Sequence, residues 1–256
     1  ARWIELGPDE LRQQEPALDR RYQFGVFLEG VGHCTDPGAY VAALAAHAQA
    51  LGARRVQGRA AGFRIEGGRL RAVTLEGGGE VACAASVIAA GARARALAAA
   101  AGDRVSLETE RGYHAVVAEP GFELRHFVMS SDGKMGLSSM RGGLRAAGQV
   151  ELAGLAAAPN WKRAEVLRDH LLRTFPALPR NLPAERVKVW MGHRPSTPDG
   201  RPVIGRAAGC ADVVHAYGHG HIGLISGPMT GRLVADLVSG RTPTIDPAPY
   251  APQRFH

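Results

Sequence analysis

Apolar and polar positions recur along this chain with two periods, and the changes between them divide it into elements. Gly7 to Leu18 carries Asp9 in a first turn and is closed by Pro16, which predicts a short helix. Tyr22 to Leu28 reads as extended. Asp36 can cap a helix that begins at Pro37 and runs to about Leu51, with Val41, Leu44, Ala45, Ala48 and Leu51 along one face and Gly52 as its left-handed stop. From Arg54 the period becomes that of strands: Arg54–Val56, then Phe63–Glu66 and Leu70–Leu75 joined at Gly67-Gly68, then Val81–Cys83 after a turn at Gly77–Gly79. Ser86–Gly91 reads as a buried strand that opens into an alanine-rich helix over 92–101. Strands follow at Leu107–Val117, His126–Ser130, Met135–Met140 and Leu144–Leu152. A helix over Asn160–Thr174 turns Val166, Leu167, Leu171 and Phe175 inward and stops before Pro176. Val213–Tyr217 is a short apolar strand, and a helix beginning near Pro228, capped by Ser226 or Gly227, runs to Val238.

The chemistry concentrates around that strand and helix. Gly218, Gly220 and Gly223 have the spacing of a dinucleotide fingerprint, but no strand-end acidic residue follows and the loop before a helix at Pro228 is too long to grip a phosphate. The glycines instead suit a backbone that turns tightly or lies against a flat ligand. Arg194, between Gly192 and Pro195, can hold a carboxylate through two parallel hydrogen bonds or form a structural salt bridge to a residue such as Asp199. His215, His219 and His221 lie close together, with His193 upstream, yet they share no direction and no acidic ligand accompanies them; no metal site is expected. Tyr113 and His114 are neighbours on a strand and point to opposite faces. Ala89, Ala90 and Gly91 let a backbone approach a ligand, or simply pack a helix on a sheet. Ser226 has no nucleophile-elbow context and the cysteines lie in no reactive motif, which argues against hydrolase chemistry.

Composition narrows the class. A chain of 256 residues that is 45% hydrophobic can bury a sizeable core. Its apolar runs, such as Ala84–Ala90, fall far short of the roughly 20 residues of a membrane-spanning helix. Cys34, Cys83 and Cys210 are too scattered for a disulfide framework or a zinc site, so a reducing, cytoplasmic setting is the default. The formal charge of +7 comes from arginines spread singly, without the clustered basic face and stacking aromatics that nucleic acid requires. The chain opens on Ala1 rather than Met, as a piece lacking its N-terminal region would.

Residues Gly192 to Gly205, with Arg194-Pro-Ser-Thr-Pro-Asp-Gly-Arg-Pro, and Gly218 to Leu224 together resemble the C-terminal signature of the FAD-dependent D-amino-acid oxidase and dehydrogenase superfamily, which includes glycine oxidase. The strand Ser86–Gly91, the segment Arg111-Gly-Tyr-His114 and Asp36-Pro37 with its helix resemble other parts of that family.

The resemblance implies an α/β fold with α+β elements: a Rossmann-like FAD domain interleaved with a substrate domain on a mixed sheet. The segments expected are 1–36 (substrate), 37–106 (FAD), 107–194 (substrate) and 195–256 (FAD). It implies non-covalent FAD held by Ala89, Ala90, Gly91, Gly218, Gly220, His221, Ile222, Gly223 and Leu224. It also implies a substrate site using Arg194 over the flavin, with Tyr113, His114 and His219. The reaction implied is oxidation of an amino acid at its Cα–N bond by hydride transfer, with electrons passing to oxygen or a quinone; the quinone would place the protein against the inner face of the membrane. Relatives begin with a glycine fingerprint that this sequence lacks. The rival reading is therefore a non-catalytic piece that completes a flavin site with a partner chain or with a missing N-terminal region.

Overall fold

Two hydrophobic cores organise the chain, which the computed structural model describes from residue 2 to residue 255. The elements in order are β1 (Trp3–Leu6), α1 (Pro8–Gln14), β2 (Gly25–Leu28), α2 (Pro37–Ala50), β3 (Ala60–Glu66), β4 (Arg69–Leu75), β5 (Glu80–Ala82), β6 (Ser86–Ile88) and α3 (Ala94–Ala100). Then come β7 (Glu108–Val117), β8 (Val128–Ser130), β9 (Met135–Met140), β10 (Gly143–Leu152), α4 (Lys162–Thr174), β11 (Val187–Ser196), β12 (Val203–Arg206), β13 (Val213–Tyr217) and α5 (Gly223–Val238). One unit comprises the segment up to Leu51, Arg111–Glu151 and Ala158–Gly192; the other comprises Gly52–Glu110, Leu152–Ala157 and the segment from His193.

In the first unit β1 pairs antiparallel with β2, a strand absent from the sequence reading because Trp3 and Ile4 are both exposed and show no buried alternation. A five-stranded sheet runs in the order β11-β7-β10-β9-β8, with antiparallel pairing of β8 to β9 and β9 to β10. The start of β7 (Glu108–Glu110) and the end of β11 (His193–Ser196) belong to the second unit. Leu167, Leu171 and Phe175 are fully buried in this core, but Val166 is 41% exposed. Helical steps of about 100° put Ala164, Leu167, Leu171 and Thr174 on one stripe and leave Val166 off it. Helix α2 forms as expected, with Asp36 Oδ1 accepting the Ala39 amide at 2.9 Å, yet none of its residues is buried. Period specifies a helix there; nothing among the described residues covers its apolar face.

In the second unit the hairpin β3–β4 turns at Gly67 and Gly68, whose φ values of 58° and 73° are those of the two-residue turn that matches strand twist. Arg54–Val56 forms no strand. A second sheet runs β12-β13-β6; β6 and β13 are parallel and β12 is antiparallel to β13. A single 3-10 turn, Gly91–Arg93, leads from β6 into α3, and α5 follows β13. Helix α5 starts at Gly223, not near Pro228. Pro228 is the sixth residue of the helix, past the first four amides that need no partner, so it forfeits one backbone bond inside the helix without stopping it; the helix is already under way there, the Ser226 amide bonding Ile222 O at 3.0 Å. The loop is thus only Gly218–Ile222. Each unit combines helices with its own sheet, the α/β architecture that the sequence predicts.

Candidate functional site

Strands β6 and β13 lie side by side in parallel, His215 opposite Ile88, so their C-terminal ends open at the same edge. From those ends run Ala89-Ala90-Gly91 and Gly218–Ile222. The fold therefore brings together the two segments expected to face a cofactor, at the carboxyl ends of parallel strands where ligands of open α/β sheets bind. Gly91, Gly218 and Gly220 all have left-handed φ (54°, 85° and 52°). A Cβ on Gly218 would press to 3.2 Å from Thr197 Cγ2, whereas one on Gly91 would meet nothing within 4 Å. Ala89 and Ala90 are exposed, as are Ile222 and Leu224. An open backbone rimmed by small and apolar side chains fits a flat ring such as the isoalloxazine of FAD.

A second surface of this unit carries charge. Thr109 Oγ1 and His193 Nδ1 are hydrogen-bonded at 2.8 Å, so these two side chains share a face of the neighbouring strands β7 and β11. Alternation then puts Glu108 and Glu110 on the opposite face together with Arg194 and Ser196. Glu108, Glu110 and Ser196, with Arg95, Ser106 and Thr197, line a cavity of about 390 Å³. Burial pushes the Arg194 pKa down, and the charge of Glu110 opposes that shift. Arg194 stays cationic, since an arginine pKa starts far above any working pH. Glu110 Oε2 is also 2.6 Å from His221 Nε2, which ties the glycine loop to β7. The alternative partner for Arg194, Asp199, has its carboxylate engaged elsewhere: Arg254 holds it through Nε at 2.8 Å and Nη2 at 3.3 Å. That hydrogen-bonded pairing holds the Asp199 pKa down to about 2.

The remaining candidates are placed as follows. In the first unit Tyr113 is buried; its hydroxyl donates to Glu151 Oε2 at 2.5 Å and accepts the Asn160 amide at 2.9 Å. His114 stacks on Trp190 with ring centroids 5.1 Å apart, and Gly192 leaves the space that the indole fills. Burial, and then the charge of Arg145, push the His114 pKa down to about 4, so the ring is neutral and its Nδ1 accepts from Arg145 Nε at 3.3 Å. In the second unit His219 Nε2 is 2.9 Å from Thr230 Oγ1, which anchors the loop to α5, and burial lowers its pKa. His215 belongs to neither surface: it is buried between Asp103 and Tyr217. Among the described residues no three His, Cys, Asp or Glu side chains are grouped to hold a metal. Among the described residues no helix is long and apolar enough to cross a membrane.

The sequence reading missed Glu110, Glu108, Ser196 and Arg95. Parity was the available signal for three of them: residues 108 and 110, and residues 194 and 196, are each two apart on a strand. The pairing of β7 with β11 was not visible in the sequence.

A family model described as FAD dependent oxidoreductase matches residues 1–237. The D-amino-acid oxidase of Bradyrhizobium diazoefficiens is 56% identical over 253 residues, which cover 99% of this chain and 60% of that protein. The glycine oxidase of Pseudomonas aeruginosa is 29% identical over 250 residues, covering 97% of this chain and 67% of the other. Among solved structures, glycine oxidase from Geobacillus kaustophilus superposes with a TM-score of 0.82 at 26% identity, covering 98% of this chain and 66% of that one. The chain spans about 60% of the length of several curated relatives that it matches nearly end to end. With the glycine loop, the Arg194 strand and the parallel pair already in place, these matches lead to one conclusion: the chain belongs to the DAO family of FAD-dependent oxidoreductases.

Proposed function

We propose that this chain supplies the substrate-binding and ring-facing parts of an FAD-dependent enzyme that oxidises a D-amino acid or a related amine acid. The observation that carries the reading is the placement, within one unit, of a half-buried Arg194 and the open loop Gly218–Ile222 after the parallel strands. Arg194 binds the substrate carboxylate through its guanidinium fork and so orients the Cα–H bond. Non-covalent FAD, when bound, supplies the acceptor for the Cα hydride, and electrons leave it to oxygen or a quinone. Gly91, Gly218 and Gly220 hold backbone against the ring, and Ile222 and Leu224 exclude water from it. His219 fixes the loop to α5. The proposed FAD domain comprises 37–106 and 195–256 and the proposed substrate domain 1–36 and 107–194; the compact units depart from these bounds in that 37–51 lies with the first unit and 107–110, 152–157 and 193–194 with the second. Arg194→Ala in the flavin-loaded enzyme should raise KM for D-amino acids by roughly 30-fold or more, the loss of about 2–5 kcal/mol for a desolvated charge pair. Arg194→Lys should recover little of it. A KM within twofold of the parent would remove Arg194 from this role.

The uncovered apolar faces of α2 and α5 favour a second reading, in which further polypeptide from the same or a partner chain completes the flavin site. Val41 and Leu44 are 57% and 53% exposed, and Ile225 is 82% exposed. FAD titrated calorimetrically into the 256-residue chain alone distinguishes the two; stoichiometric binding at or below micromolar Kd would reject the need for more chain.

A further inference from the structure

We infer that Glu110 sets the substrate class, selecting amino acids whose side chain ends in a cation over those that end in a carboxylate. The inference rests on the Arg194 reading above and deepens it. Glu110 faces the same side of the β7–β11 pair as Arg194 and is the carboxylate whose charge acts on it. Its second partner, His221, is an exposed side chain on the glycine loop, so this hydrogen bond can be exchanged for one to a ligand without unpacking a core.

Beyond Glu110 there is room and polarity for a side chain. The cavity of about 390 Å³, which Arg194 adjoins on the strand face without lining it, is bounded by Glu110, Glu108 and Arg95; Glu108 Oε1 accepts the Thr109 amide at 2.7 Å, and Ser196 Oγ, out of contact with solvent, has no hydrogen-bond partner among the described residues. Ser196 Oγ also lies 3.5 Å from where a Cβ of Gly220 would stand, which places it beside the loop. Once a substrate carboxylate has neutralised Arg194, this surface retains two carboxylates, Glu108 and Glu110, against one guanidinium, Arg95. A side-chain ammonium or guanidinium restores balance. A side-chain carboxylate adds a third anion to a partly desolvated wall, and like charges so placed repel strongly.

Three ligands of equal length separate the two claims. Valerate presents one carboxylate, δ-aminovalerate adds an ammonium at the far end, and glutarate adds a second carboxylate. Their affinities for the flavin-loaded protein are read from flavin spectral perturbation and calorimetry, so no turnover is needed. We expect δ-aminovalerate to bind about tenfold or more tightly than glutarate, the scale of one charge contact at a partly buried site. Glu110→Gln should collapse that spread to within about threefold, and Glu110→Asp should keep most of it. An unchanged spread in Glu110→Gln, or no spread in the parent, overturns the role of Glu110 while leaving the clamp standing. Valerate tests the clamp separately: if it does not bind, or binds Arg194→Ala as well as the parent, the clamp falls and the inference with it.

Discussion

Replacing Asp103 by alanine tests the buried network that supports the end of β13. Asp103 Oδ2 accepts from His215 Nε2 at 3.0 Å and from the Ala208 amide at 2.9 Å, and Gln253 Nε2 reaches Oδ1 at 3.4 Å. Tyr217 donates its hydroxyl to the other ring nitrogen, Nδ1, at 3.0 Å, which fixes the tautomer as Nε2–H. Burial lowers the His215 pKa by more than Asp103 raises it, so the pair is a neutral imidazole bonded to a carboxylate rather than an ion pair. Two hydrogen bonds to a charged acceptor, at about 1.5–3 kcal/mol each, put the cost of Asp103→Ala at about 3–6 kcal/mol. Tyr217→Phe removes one neutral hydrogen bond and should cost about 1 kcal/mol. The sign with pH follows from the lowered pKa. Below pH 6.5 the unfolded chain protonates this histidine before the folded one does, so stability is full above about 6.5 and declines as pH falls. Without Asp103 the decline should be steeper. Urea unfolding followed by circular dichroism at pH 8 and pH 5.5 measures both effects. A loss under 1 kcal/mol for Asp103→Ala at pH 8, or equal losses for the two variants, would refute the reasoning.

Other expectations follow from single features. Gly220→Val forces a branched side chain into φ of 52° in the loop proposed to face the flavin and should lower flavin content, read as the ratio of flavin to protein absorbance; equal content would make Gly220 an ordinary turn residue. Asp199→Asn should cost about 1 kcal/mol, because the Arg254 pair is partly exposed and screened. The stability that Asp199 provides is present above pH 3.8 and lost as pH falls toward 2, which acid titration of the parent and the variant would compare. His114, with its pKa near 4, should keep neutral imidazole NMR shifts down to about pH 5; titration near 6.5 would contradict its burial against Trp190.

Where an element is defined by its own residues, the sequence sufficed. Gly67-Gly68 marked the β3–β4 turn because only left-handed residues close so short a hairpin, and Asp36-Pro37 marked the start of α2 because a cap and a first-turn proline act locally. Where an element depends on a partner, it did not. Strand β1 exists through its ladder with β2, and its exposed Trp3 and Ile4 leave no alternation to read. Val166 looked inward because a helical period gives a stripe without saying which of two adjoining positions is centred on the core. Pro228 misled for a further reason: the statistical preference of proline for the first turn is strong, but tertiary placement of α5 against β12 and β13 outweighs one missing backbone bond.

The candidate site divides along the same line, and the division explains why its residues differ in how well they could be foreseen. Arg194 and the glycine loop were legible because each occurs inside a short string whose members act together through the backbone. Glu110 was not, because its meaning comes from His221, 111 residues away, and from the strand that carries Arg194. A carboxylate at one position of β7 is unremarkable until β11 is known to lie beside it. Thr109 and His193 then fix the relative faces, and that single hydrogen bond at 2.8 Å decides that Glu110 shares a side with Arg194. Had Thr109 faced Arg194 instead, the carboxylates at 108 and 110 would have pointed away from Arg194 and could not influence a ligand held in the proposed way. Exchanging Thr109 for valine should therefore loosen His193 without moving Glu110, because strand pairing, not the Thr109 hydroxyl, sets the alternation. Charge discrimination among valerate, δ-aminovalerate and glutarate in Thr109→Val should match the parent. A collapse there like that expected for Glu110→Gln would mean that the His193 side of the pair, not the Glu110 side, faces the ligand.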